Sequence, residues 1–124
     1  MPTSRRFRFV RSAIRLFLSQ TWPNKELVIL DDSGPIEAIL TWLITIPHRT
    51  IRYYWLPLKL SIGCKRNICC ELARGKYIAS FDDDDLYLND RIEHQMETLL
   101  ANPRKTVTGY RRMIFQTPEG RQWR

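Results

Sequence analysis

"ELVILDD", Glu26 to Asp32, is a short unbroken apolar run that ends in two acids. A strand with one wet face alternates apolar and polar residues. A strand buried on both faces does not, and runs of this kind belong to parallel sheets covered by helices. The flanking residues agree. Upstream, Val10, Ala13, Ile14 and Phe17 recur at the helical period and predict an amphipathic helix over Phe7 to Ser19, which "TWPN" (Thr21 to Asn24) breaks. Downstream, "SGP" (Ser33 to Pro35) forms a turn with Pro35 at a first helical position, and Ile36 to Ile44 is expected as a helix. "RTIRYYWL" (Arg49 to Leu56) is rich in β-branched and aromatic residues and reads as the next strand.

The alternation continues. Ser61 suits a helix N-cap, with Cys64, Ile68 and Leu72 on one side of the helix and Gly75 at a left-handed C-terminal cap. "KYIASF" (Lys76 to Phe81) reads as a strand leading into the aspartates Asp82 to Asp85. "DRIE" (Asp90 to Glu93) resembles a capping box ahead of an apolar stripe of Ile92, Met96, Leu99 and Leu100, and Asn102-Pro103 ends that helix. Thr106 to Gln116 is expected to be extended. Strands alternating with helices make the class α/β with a mostly parallel sheet. Such sheets collect ligands beyond the carboxyl ends of their strands, so Asp31-Asp32 and Asp82 to Asp85 should meet at one edge.

At 124 residues, 44% apolar and 27% charged, the chain fits one globular domain, and no apolar run approaches the ~18 residues of a membrane span. Its three cysteines, Cys64, Cys69 and Cys70, are odd in number and form no C-x-x-C pair. They read as reduced thiols of a cytoplasmic chain, with Cys64 and Cys69 toward the core, and zinc is not expected. The net charge of +7 favours anionic partners. Arg8, Arg11 and Arg15 share one helical face, a solvated surface or a peripheral contact at the inner face of a membrane. No motif beside the charge indicates nucleic acid.

Four adjacent carboxylates need an explanation. At ~4 Å, two unit charges repel by about 4 kcal/mol at an effective dielectric near 20. The carboxylates either spread into water, take up protons or bind a cation. In an extended chain Asp82 and Asp84 would face one way and Asp83 and Asp85 the other. One such pair suits a hard divalent ion, Mg²⁺ or Mn²⁺, which takes one or two carboxylates plus water and phosphate oxygens. A solvated loop is the competing reading.

With these motifs in order, the chain resembles family 2 glycosyltransferases of the GT-A fold, nucleotide-sugar-dependent enzymes. The likeness is carried by "MPTSRR" (Met1 to Arg6), "AIRLFLSQTWPNKELVILDDS" (Ala13 to Ser33), "GCKRNICCELARGKYIASFDDDD" (Gly63 to Asp85) and "DRIEHQ" (Asp90 to Gln95). It implies a Rossmann-like sheet, the GT-A nucleotide-binding half, that binds a nucleotide-diphosphate sugar, a UDP-sugar by expectation, and passes the sugar to an acceptor hydroxyl on a glycan, lipid or protein. By position, Pro2 and Thr3 match the strand end beside the nucleobase, and Asp32, with its neighbour Asp31, matches the acid that bonds the base. Lys65, Arg66 and Asn67 match the basic stretch before the metal motif, with Arg66 as the phosphate contact. Asp82, Asp83 and Asp84 match the D-x-D region. Asp84 would be the direct metal ligand, and Asp82 or Asp83 would orient ribose or metal-bound water. Each has a plain competitor: Thr3 a helix cap, Asp32 a turn cap, Arg66 a solvated charge, Asn67 a packing amide.

The resemblance also implies an apolar strand ahead of Pro2-Thr3 and an acidic general base in an acceptor-binding half. Met1 directly precedes Pro2, and no base is nominated before Arg124. The expectation is therefore one incomplete domain over residues 1–124, with the absent strand supplied by another segment or, in an oligomer, in trans. The alternatives are a catalytically silent nucleotide-binding fragment, another Mg²⁺-dependent phosphoryl enzyme, and a basic nucleic-acid-binding module.

Overall fold

The computed structural model describes residues 1–33, 42–43, 45, 49–116 and 122–123. Two compact units divide the chain, Met1–Ile92 and Glu93–Arg124. The first is built on a three-stranded parallel sheet in the order β1 (Pro2–Thr3), β2 (Leu27–Asp31), β3 (Ile51–Trp55). Thr3 pairs with Asp31 and Asp31 with Trp55, so all three strands end at one edge. Every residue of β2 is buried, as an unbroken apolar run requires of a central strand.

Helix α1 (Phe7–Leu18) covers the sheet with Val10, Ala13, Ile14 and Phe17, each at most 1% exposed. These four meet Met1, Leu27, Ile29 and Phe81 in one core cluster. Gln20, just past α1, is buried and holds the later chain in place. Its Nε2 donates to the Leu88 carbonyl at 2.8 Å, and its Oε1 accepts from the Ile92 amide at 3.1 Å. Helix α2 (Ile62–Leu72) begins at Ser61, whose Oγ accepts from the Cys64 amide at 3.2 Å. Helix α3 spans Arg91–Leu100. Ile92, Met96 and Leu99 are half-buried along it, and Leu100 is exposed. The second unit also holds an antiparallel pair, β4 (Phe115–Gln116) with β5 (Gln122–Trp123).

Five expectations are corrected. Lys76 to Phe81 is not a strand. Only the loop after it reaches β1 in the described bonds, through Thr3 and Asp83, and β1 offers a ladder of two residues, one of them a proline without an N–H. Tyr77 and Ile78 remain exposed. Gly75 is not left-handed: α2 ends on an extended Ala73. Glu26 explains this, since its Oε1 accepts from the amides of Arg74 and Gly75 and so takes the donors that a left-handed cap would use. Cys64 is exposed, and Lys65 takes the inner position instead. Asn67 is exposed, which a packing amide would not be. Thr106 to Ile114 makes no ladder, and extended pairing starts at Phe115. The expected helix over Ile36 to Ile44 lies outside the described residues, apart from Trp42 and Leu43, which are helical.

Candidate functional site

The carboxyl edge of the sheet opens into a pocket of about 340 Å³. The turn from β1 to α1 supplies Pro2, Thr3, Ser4 and Arg6; α2 supplies Ile62, Lys65 and Arg66; the loop after Phe81 supplies Asp82, Asp83 and Asp84. Three cations therefore face three carboxylates.

Each side chain is held for a physical reason. Arg5 has φ 54°, a left-handed value that a residue with a Cβ adopts only when its surroundings enforce it. The kink turns the chain from β1 into α1 and leaves Arg6 at the helix N-cap, facing the aspartates. Phe81 anchors the loop. It is 5% exposed and sits edge-on to Phe17 at 6.3 Å and against Tyr87 at 4.2 Å. The Tyr87 hydroxyl accepts from the Asp82 amide at 2.8 Å and donates to Asp85 Oδ2 at 2.9 Å, which closes the loop on itself. Burial, together with the bond to Asp85, pushes that hydroxyl well above its usual pKa, so it remains a donor.

The aspartates do not alternate as a strand would have them. A turn at Asp83 and Asp84 brings Asp82, Asp83 and Asp84 to the same pocket, while Asp85 pairs with Tyr87. Asp83 is buried. Its Oδ2 accepts from Thr3 Oγ1 at 2.6 Å and its Oδ1 from Arg6 Nη1 at 3.0 Å. The same Arg6 nitrogen donates to Asp84 Oδ2 at 2.7 Å. Both carboxylates raise the basicity of Arg6, with the hydrogen bond to Asp84 the largest single cause. Arg66 Nη2 donates to Asp82 Oδ2 at 2.9 Å.

Asp32 and Asp31 lie behind the pocket. Asp32 Oδ1 is 2.9 Å from Lys65 Nζ, and Oδ2 accepts from the Leu60 amide at 3.0 Å. Burial alone would raise its pKa. The Leu60 amide and the Lys65 ammonium outweigh burial and hold it at about 2. Lys65 Nζ also donates to the Thr3 carbonyl at 3.0 Å. Asp31 accepts from the Tyr53 hydroxyl and the Ser33 amide, both at 2.9 Å. The two acidic clusters are thus joined through Asp32, Lys65, Thr3 and Asp83.

Sequence reasoning brought Pro2, Thr3, Arg66, Asp82, Asp83 and Asp84 to one place, and they line one pocket. It put Asp31 and Asp32 at the same edge, where they are one layer deeper. It gave no role to Arg6 and passed over Lys65 in favour of Arg66. The signal for Lys65 was its spacing: Lys65, Ile68, Cys69 and Leu72 fall at i, i+3, i+4 and i+7 on the more buried side of α2.

The donor chemistry fits a hard divalent ion. Asp83 and Asp84 already converge on a single cationic nitrogen, a position that asks for positive charge and offers oxygen ligands. Among the described residues, no three or more His, Cys, Asp or Glu side chains are grouped to hold a metal by themselves. Any ion here would complete its shell with water or phosphate, as Mg²⁺ usually does. Among the described residues, no helix is long and apolar enough to cross a membrane.

Comparison with known proteins identifies the family of the chain. The model of the glycosyl transferase family 2 matches residues 1–124. An uncharacterized glycosyltransferase of Haemophilus influenzae is 29% identical over 103 residues, which cover 82% of this chain and 41% of the relative. The putative colanic acid biosynthesis glycosyl transferase WcaA of Escherichia coli is 30% identical over 109 residues, 87% of this chain and 38% of the relative. The UDP-Glc:alpha-D-GlcNAc-diphosphoundecaprenol beta-1,3-glucosyltransferase WfaP of Escherichia coli is 30% identical over 89 residues, 70% of this chain and 34% of the relative. The chain thus spans well under half the length of each of these curated relatives.

Proposed function

The chain belongs to glycosyl transferase family 2, and from that premise we propose that it forms the donor-binding part of an enzyme that moves a sugar from a nucleotide-diphosphate sugar to an acceptor hydroxyl. The observation that carries the reading is the convergence of Asp83 and Asp84 on one cation, in a pocket shared with Arg66 and Thr3. A UDP-sugar is the proposed donor, in line with the donor that the name of WfaP carries. The acceptor hydroxyl belongs to a glycan, lipid or protein; the name of WfaP carries a lipid-linked one.

Charge balance supports a metal in this reading. Arg6, Lys65 and Arg66 are already matched by Asp83 and Asp84, Asp32, and Asp82. A diphosphate entering such a pocket brings negative charge that the paired side chains do not offset. Asp84, with Asp82 or Asp83, would hold Mg²⁺ or Mn²⁺, which when bound neutralises the charge that grows on the departing nucleoside diphosphate. Arg66, 54% exposed, would turn from Asp82 to a phosphate oxygen, and Pro2 and Thr3 would border the nucleoside. Asp31 and Asp32 enter through what they hold: Asp31 the Tyr53 hydroxyl, Asp32 the lysine behind Thr3. The site lies on the cytoplasmic side in this proposal, with the exposed α1 arginines Arg8 and Arg15 available for peripheral contact with a membrane.

The test is a calorimetric titration with UDP, with and without Mn²⁺, on the chain and on Asp84→Ala. Binding that needs Mn²⁺ and disappears in the variant supports the proposal. UDP binding indifferent to Mn²⁺ removes the metal from it, and salt-sensitive RNA or DNA binding in place of UDP binding removes the nucleotide-sugar reading altogether.

A further inference from the structure

We infer that Arg6 occupies the cation position of the pocket, so that a divalent ion enters only by displacing it and Arg6 sets how tightly the metal is held. The inference rests on the proposed metal role of Asp83 and Asp84. One nitrogen, Arg6 Nη1, contacts carboxylates of both residues, at 3.0 Å and 2.7 Å. Two carboxylates on one point is an arrangement that suits a divalent ion, and here a guanidinium provides the charge. The two cations cannot share the position, because each needs the inner oxygen lone pairs and they repel one another.

The surroundings show that this is displaceable occupancy rather than a fixed strut. The Arg6 side chain is 47% exposed and that of Asp84 is 48% exposed, so the guanidinium can swing into water at little cost. Its other recorded partner is the ring of Phe9, 5.5 Å away and half-exposed, which offers a resting place on α1 once the carboxylates are released. Asp83 is different. It is 5% exposed and keeps its bond from Thr3 Oγ1 whichever cation is present. Exchange therefore leaves the loop anchored and changes only the occupant.

The consequence is specific. A free site would bind metal in proportion to its carboxylates alone. A site with an internal competitor binds metal more weakly by the fraction of time the competitor is out, so the ion is retained mainly when a diphosphate arrives with it.

The experiment is Mn²⁺ titration by calorimetry, at fixed ionic strength, of the chain and of the variants Arg6→Gln, Arg6→Lys and Arg8→Gln. Arg8 lies on the exposed face of α1 and touches no carboxylate in the pocket, so its variant controls for loss of one positive charge. The expected result is Mn²⁺ binding about three- to tenfold tighter in Arg6→Gln, intermediate in Arg6→Lys, and within about twofold of the parent in Arg8→Gln. Should Arg6→Gln fail to fold by circular dichroism, Arg6→Lys carries the test with the same sign. Equal or weaker Mn²⁺ binding in the Arg6 variants, with metal-dependent UDP binding intact, overturns the competition and leaves the proposed function standing. Equal tightening in Arg8→Gln overturns it too, because general charge then explains the effect. Absence of Mn²⁺ binding in all four proteins, both alone and with UDP present, overturns both.

Discussion

Lys65 reaches inward from α2 to within 2.9 Å of Asp32 at the end of β2, and the pair is sealed: the Asp32 side chain has no exposure and that of Lys65 is 6% exposed. The same ammonium donates to the Thr3 carbonyl, so one buried charge ties α2 to the ends of β1 and β2. Removing one member of a buried pair leaves the other charged without a partner, which costs about 3–5 kcal/mol. Lys65→Met should therefore destabilise the chain by that order in urea unfolding. Replacing both partners, as in Lys65→Met with Asp32→Leu, should recover part of the loss. A single variant as stable as the parent would show that the pair does not hold the strand ends together.

The pair also dictates a pH dependence. Asp32 has its carboxyl at about 2 in the folded chain against 3.8 for the ordinary group. A lowered folded-state pKa stabilises above the unfolded value, and that stability is lost as pH falls through the folded one. The difference corresponds to about 2 kcal/mol. Stability should thus be flat from this source above pH ~5 and should decline between pH ~4 and ~2. In Asp32→Asn the decline attributable to this group disappears. An unchanged acid limb in that variant would assign it to other carboxylates.

Much of the fold was legible. The β2 run and the α1 stripe each face water with nothing, so their pattern is set by burial alone, and burial is what hydropathy records. Where the structure differs, a polar group overrode the pattern. Lys65 interrupts the apolar face of α2 because its head finds Asp32, a partner 33 positions away that no local pattern encodes. Gly75 looks like a cap because Glu26, far upstream, is invisible to a local reading. "KYIASF" has strand composition, but a strand needs a neighbour, and β1 offers two residues. The site follows the same rule. The aspartates announced themselves by density, whereas Arg6 was one of five arginines in a basic N-terminus and only tertiary contact singles it out.

Phe81 shows how the core sets the loop. It buries its ring among Phe17 and Tyr87 and is the last buried apolar side chain before the aspartates. Phe81→Ala should cost about 3 kcal/mol through the cavity it leaves. It should also weaken Mn²⁺-dependent UDP binding at temperatures where the chain is still folded, because the loop loses its anchor. Phe81→Leu should restore most of the stability and most of the binding. A variant that is destabilised while binding normally would mean that Tyr87 alone holds the loop.

Glu26 is a clamp at the opposite end of the sheet from the pocket. Its carboxylate accepts from the Arg74 and Gly75 amides and from Arg52 Nη1 at 3.3 Å. Burial alone would raise its pKa, and the Arg74 amide, Arg52 and the Gly75 amide reverse this to hold it low. Glu26→Ala leaves two amides without an acceptor and should cost about 1–2 kcal/mol. Amide exchange at Arg74 and Gly75 should speed up while exchange within β2 stays slow. Uniform acceleration across both segments would indicate global destabilisation instead of a local release.

Asp83 and Asp84 are neighbours with different work, and their variants should separate folding from binding. Asp83 is buried and accepts from both Thr3 and Arg6, so Asp83→Ala strands the Thr3 hydroxyl and should destabilise by about 1–3 kcal/mol. Asp84 is half-exposed and holds only one end of an exposed ion pair, so Asp84→Ala should unfold within about 1 kcal/mol of the parent. Binding should run the other way in its specificity. Asp84→Ala loses Mn²⁺-dependent UDP binding from an otherwise intact fold, whereas Asp83→Ala loses it together with stability. Urea unfolding and calorimetry on the same two samples make the comparison. If Asp84→Ala proved the more destabilised of the two, the exposed carboxylate would be a structural strut, and its availability to a metal would have to be given up.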